Sequence, residues 1–226
     1  MELKLTPRKI ARVLAVAMVM LAVLHIIACL PVFFAGRKYP LGFLSLDGES
    51  NLPSMFSVAL LWCSALLAAC IAWGGKNGRI KRVYWIGLSL AFFAVGLDEG
   101  VMIHERVPEY IRQYTEIFGL FYSSWVALYA VFLVLFIVAY ARFFLSLPPD
   151  TRKHLVFAVL LYIGGAVGVE ILGWIWVENH GKESIYYFFV LAEEVLEMSG
   201  GIAFIYTFSN YIGRHLPGLR LRIALD

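Results

Sequence analysis

The sequence predicts an all-α polytopic membrane protein: a bundle of six transmembrane helices, both termini cytoplasmic, in a single domain over residues 1–226. Three observations predict it. The chain is 61% hydrophobic, and its 19 Gly raise the apolar share to roughly 69%, against about 45–50% for a soluble domain. Charged residues are 15%, against about 25% expected, and mean hydropathy is +0.78. The apolar residues also fall into six runs, each long enough to cross a hydrocarbon core about 30 Å thick, which takes about 20 helical residues.

The six runs follow in order. Val13–Ala35 comes after the basic stretch Lys4, Arg8, Lys9 and Arg12; at about 23 residues it is too long for the apolar region of a cleaved signal, so it is expected to stay as a span. Pro53–Trp73 begins with Ser54 and Ser57, and Val83–His104 ends in a group of acids. Ile117–Phe144 begins with Ser123 and Ser124. Leu155–Val177 contains Gly164 and Gly168, a G-x-x-x-G that marks close helix packing. Ile185–Ile212 is the sixth. Continuous apolar runs exclude a closed β-barrel, whose strands alternate over about ten residues. Helices satisfy every backbone group internally, as lipid demands. Between spans, Tyr39–Leu52 is a short polar loop, and Arg106–Glu116, with Tyr110 and Tyr114 one turn apart, reads as an interfacial helix.

Orientation follows from Lys and Arg. With the N-terminus cytoplasmic, 14 of the 19 fall on the inner side and 5 on the outer. Acidic residues do the reverse: only Glu2, Asp150 and Asp226 of 16 fall inside. The bilayer is thus the expected environment, and a bacterial inner membrane the expected location. A net charge of +3 supplies no basic footprint for nucleic acid. Cys29, Cys63 and Cys70 lie in apolar runs without a C-x-x-C pair and read as small hydrophobes.

The informative residues are acids where lipid disfavours them. Asp98, Glu99, Glu170, Glu193, Glu194 and Glu197 lie within the third, fifth and sixth spans, which hold no Lys or Arg. One central ionisable residue costs roughly 2.5–3.5 kcal/mol on insertion scales, so such groups are protonated and hydrogen-bonded, bind a cation, or line a wet cavity. At 1.5 Å per residue, Asp98 and Glu170 each lie about 23 Å above the inner boundary, and Glu193 and Glu197 about 12 and 18 Å below the outer one. Glu193, Glu194 and Glu197 form one stripe. The expected site is Asp98, Glu170, Glu193, Glu194 and Glu197, with Glu99, His104, Glu105 and His25 as outer or entrance groups and Ser54, Ser57, Ser123 and Ser124 in the wall.

Three segments carry a resemblance. Asp47, Gly48, Glu49, Asn51 and Pro53 form D-G-E-x-N-x-P before the second span; Asp98, Glu99, His104 and Glu105 form D-E-x-x-x-x-H-E; and Glu193, Glu194 and Glu197 form E-E-x-x-E. The combination resembles a family of uncharacterised bacterial six-span membrane proteins. The resemblance covers most of the chain and brings no activity with it.

Other chemistries lack their residues. Glu193-Glu194 is followed by Met198 where an E-E-x-x-x-R protease motif needs Arg, five scattered His cannot fill histidine boxes, and no E-x-x-H, H-E-x-x-H, G-x-S-x-G or P-loop occurs. Three uses of the acids stay open: cation or proton-coupled transport; a membrane-embedded metal-dependent enzyme acting on lipid or quinone; and a structural subunit whose acids meet a protein partner or a second copy. Oxygen ligands favour Ca²⁺, Mg²⁺, Mn²⁺ or protons, and His25 or His104 would shift preference to Zn²⁺ or Fe²⁺.

Overall fold

A computed structural model describes residues 6–37, 39–48, 51–74, 79–103, 106 and 124–216; over 79–80 and 124–130 the description is of the backbone. Among these residues every regular element is helical. In chain order they are α1 (Pro7–Ala35), α2 (Leu52–Gly74), α3 (Arg79–Val101), α4 (Ser124–Leu145), α5 (Pro149–Ile163), a π-helical turn (Gly164–Val169), α6 (Glu170–His180) and α7 (Tyr186–His215).

Four stretches are long and apolar enough to cross a membrane: Pro7–Ala35, Leu52–Gly74, Lys81–Val101 and Pro149–His180. These correspond to the first, second, third and fifth expected spans. The fourth begins outside the described residues, and its apolar described part, Val131–Leu145, is shorter. The sixth, α7, is 30 residues long but carries Glu193, Glu194 and Glu197 and is not among the four. The expected helix over Arg106–Glu116 lies almost wholly outside the described residues.

Local chemistry sets several boundaries. Thr6 caps α1 by accepting the Lys9 N–H at 3.3 Å, and Pro7 occupies the first turn, where a missing N–H costs nothing. Gly36 ends α1 in the left-handed region at φ 62°. Asn51 starts α2 reciprocally: its Oδ1 accepts the Ser54 N–H at 3.1 Å, while its own N–H donates to Ser54 Oγ at 3.0 Å. The third helix stops at Val101, short of His104, because Met102 turns left-handed at φ 60° while its N–H returns to Asp98 O at 2.7 Å. A side chain there is uncommon and costs roughly 1–2 kcal/mol.

α7 is the central helix. It packs against α1, α2, α5, the π turn and α6, while α3 packs on α2 and touches α4 only slightly. At one end of the bundle Trp85, Phe143, Phe204, Phe208 and Tyr211 form a buried aromatic core. Toward the other end Leu21, Leu46, Leu60, Val190, Met198 and Ile202 form a second, aliphatic core. Outward faces stay apolar, as with Val13, Phe132, Val138 and Leu160, the pattern of helices solvated by lipid. Hydroxyls inside the helices bond back along the chain: Ser64 Oγ to Leu60 O at 2.9 Å and Thr207 Oγ1 to Ala203 O at 2.6 Å.

Candidate functional site

The acids hang on a close contact between the fifth expected span and α7. A Cβ on Gly165 would lie 2.6 Å from Glu193 O, 2.8 Å from Glu197 Cγ and 3.1 Å from Glu197 N. A Cβ on Gly200 would lie 2.7 Å from Tyr162 N. Small residues at these two places let the backbones meet, as membrane interfaces require when apolar burial gives no preference over lipid. The expected G-x-x-x-G pair is not the contact: Gly164 and Gly168 meet nothing within 4 Å, and Gly165 makes the approach instead. Gly165 lies on the same face as Leu155, Ala158 and Tyr162, at i, i+3, i+7 and i+10, and it falls within a π turn, a feature common at functional sites.

This contact gathers residues from four elements. Glu197 lies within electrostatic reach of Glu194, Glu99, Glu193 and Glu170. Tyr162 lies within reach of Glu197, Glu99, Glu194 and Asp98. Asp98 is buried, at 9% exposure, and Glu99, Glu170, Glu193, Glu194 and Glu197 are half-buried. The five expected site acids and Glu99 therefore occupy one neighbourhood. Ser57, expected in its wall, lines a small cavity with Leu60, Leu61, Tyr162, Glu197, Met198 and Gly201. The Ser57 Oγ is buried without a hydrogen-bond partner.

Among the described residues no three His, Cys, Asp or Glu are grouped to hold a metal ion. Around α7, Glu193 and Glu194 lie about 100° apart, with Glu197 between them. His104 and Glu105 lie outside the described residues, as do Glu49, Ser123 and the Ser124 side chain.

His25 stands apart as a structural tie. It is 1% exposed; its Nδ1 accepts the Leu46 N–H at 2.9 Å, and its Nε2 is 3.3 Å from Tyr187 O. This arrangement defines the Nε2–H tautomer and joins α1, the 39–48 loop and α7. The loop is held further by Asp47, whose Oδ1 accepts from Tyr186 Oη at 2.7 Å and lies 3.8 Å from Lys182 Nζ, and by Asn51, whose Nδ2 donates to Ser45 O at 2.7 Å. Asp47, Asn51 and Ser54 thus dock the loop and start α2. Tyr162 was not anticipated. Its signal was depth: it sits within the fifth expected span, not in an interfacial aromatic belt, two residues before Gly164-Gly165.

Fold and site together define an all-helical protein with several helices long and apolar enough to cross a membrane, and with acids gathered between them. The chain belongs to the family described as a domain of unknown function, DUF8692, whose model matches residues 11–211, nearly the whole helical bundle. No curated protein and no solved structure matches the chain.

Proposed function

We propose that the chain is a multi-pass protein of the bacterial cell membrane, with six spans and both termini cytoplasmic, whose carboxylate cluster carries protons in proton-coupled transport. The observation that supports this is the gathering of Glu99, Glu170, Glu193, Glu194 and Glu197 within electrostatic reach of one another, while no three of the described acids are placed to share a metal ion. Like charges in a medium of low dielectric cannot all ionise, so the cluster retains protons and exchanges them when its surroundings change. Glu197 is the working group, because it reaches the other four acids and also lines the cavity beside Ser57. The bilayer is the partner this reading requires, and the transported ion is the proton.

The test is proton movement in liposomes containing the purified protein and an internal pH dye, under an imposed potential. Wild type is expected to move protons above the background of empty vesicles, and Glu197→Gln to fall to that background. Equal, background-level movement in both would remove the proposal.

A further inference from the structure

The 39–48 loop, between α1 and α2, is pinned to the bundle at several points. Its Leu41 N–H donates to Ala28 O at 3.1 Å, its Ser45 O accepts from Asn51 Nδ2, and its Asp47 accepts from Tyr186 Oη. The deepest pin is Leu46. Its side chain is 4% exposed and packs in the aliphatic core with Leu21 of α1 and Val190 of α7. Its N–H donates to Nδ1 of the buried His25 at 2.9 Å. A backbone N–H can only donate, so Nδ1 must keep its lone pair, and Nε2 carries the ring's one proton toward Tyr187 O. An imidazolium has a proton on both nitrogens. A docked Leu46 and a charged His25 therefore exclude one another. A second ring proton would point at the Leu46 N–H and leave it buried without an acceptor, a state that folded chains avoid.

Other titratable and charged groups face the ring. On α1, Cys29 Sγ lies 3.6 Å from Nε2. From the loop comes Asp47, within electrostatic reach of the ring and itself held by Tyr186 Oη at 2.7 Å and Lys182 Nζ at 3.8 Å. α7 presents Tyr187, through its carbonyl, beside Tyr186. α2 carries no Asp, Glu, Lys, Arg or His. These groups bear on how readily the ring is protonated; the Leu46 N–H decides what protonation does.

We propose that His25 is a proton-operated latch: the neutral ring holds Leu46 in the core and the loop against α1 and α7, and protonation of the ring releases both. The latch goes beyond the carboxylate cluster and does not need that cluster to carry protons. Its sign follows from linkage. The docked form excludes the proton and the released form accepts it, so the latch is closed above the ring's titration and opens as pH falls, by at most about tenfold per pH unit for one proton. Imidazole suits the task, since its ordinary charge change falls between about pH 5 and 8.

The experiment is hydrogen exchange of the full chain in nanodiscs, read by mass spectrometry over residues 42–48 from about pH 8 to about pH 4.5, with times corrected for the intrinsic pH dependence of amide exchange. Wild type is expected to lose protection there by about tenfold in the acid part of the range, while the buried middle of α7 stays protected. His25→Asn offers an amide oxygen near the place of Nδ1 and does not titrate; it is expected to show no step. Asp47→Asn keeps an acceptor for Tyr186 and removes the neighbouring carboxyl; it is expected to keep the step. A flat wild-type profile overturns the latch. So does a step that persists in His25→Asn, or one that vanishes in Asp47→Asn. If His25→Asn loosens the loop at every pH, ring-¹⁵N histidine NMR of wild type decides, with the His25 signal identified by its loss in that variant. A second ring proton gained across the step supports the latch, and a ring that does not titrate there overturns it.

Discussion

Gly165→Ala is the most discriminating single change. Its Cβ would meet Glu193 O at 2.6 Å and Glu197 N at 3.1 Å, and both are backbone atoms that cannot rotate away. Ordinary contact begins near 3.4 Å, so the π turn and α7 must part by about 0.8 Å at the nearest point. Overpacking of this kind costs about 1–3 kcal/mol. At Gly164 and Gly168 the same methyl meets nothing within 4 Å, and Ala is the better helix former by about 0.8–1 kcal/mol. Gly164→Ala and Gly168→Ala are therefore expected to be neutral or stabilising. The expected gap between Gly165→Ala and either control is about 2 kcal/mol, roughly thirtyfold in the folding equilibrium. Gly200→Ala, opposed by Tyr162 N at 2.7 Å, should cost about as much as Gly165→Ala. The double variant should cost less than the sum, because one separation of the helices relieves both clashes. Reversible unfolding in mixed micelles titrated with dodecyl sulfate, followed by tryptophan fluorescence, reads all five. Equal losses at Gly164, Gly165 and Gly168 would refute the register of this contact.

His25→Ala should destabilise by about 2–4 kcal/mol, because it strands the Leu46 N–H and the Tyr187 carbonyl in a buried place; unfolding in the same micelles checks it, and an unchanged midpoint would show that the ring ties nothing. Asn51→Ala should cost about 1–2 kcal/mol and speed hydrogen exchange over residues 42–48, since it removes both the α2 cap and the bond to Ser45. Arg214→Ala should change stability by less than about 1 kcal/mol despite the 2.9 Å bond to Asp150, because both side chains are more than half exposed. Millimolar Ca²⁺ or Mn²⁺ should leave the unfolding midpoint where it is. A saturable rise, worth about 2.7 kcal/mol at a hundred times the dissociation constant, would restore a metal to the cluster.

The helical class and four of the spans were legible in the sequence because their causes are local: a run of about 20 apolar residues has few alternatives in lipid, and each helix bonds its own backbone. That Asp98, Glu99, Glu170, Glu193, Glu194 and Glu197 are unusual within apolar stretches was legible for a related reason. Transfer cost depends on residue type and depth, and both can be counted along a chain. The cap at Asn51 is local as well, yet it read as a family motif and not as a helix start. Other features were hidden because they depend on which helix meets which. Gly165 and not Gly164 meets α7, and the G-x-x-x-G spacing does not say which of two adjacent glycines a neighbouring helix covers.

The same division separates the chemistry from its arrangement. Apolar run length and the scarcity of charge give this chain several helices long and apolar enough to cross a membrane and put acids within apolar stretches, since both are properties of single segments in a solvent. Whether those acids converge on an ion, fan around a helix or face a cavity depends on the azimuth and spacing of α2, α5, α6 and α7. Those are set by side chains meeting across helices far apart in sequence. Packing of that kind puts Ser57 and Tyr162 beside Glu197 and takes His25 into a tie between α1 and α7.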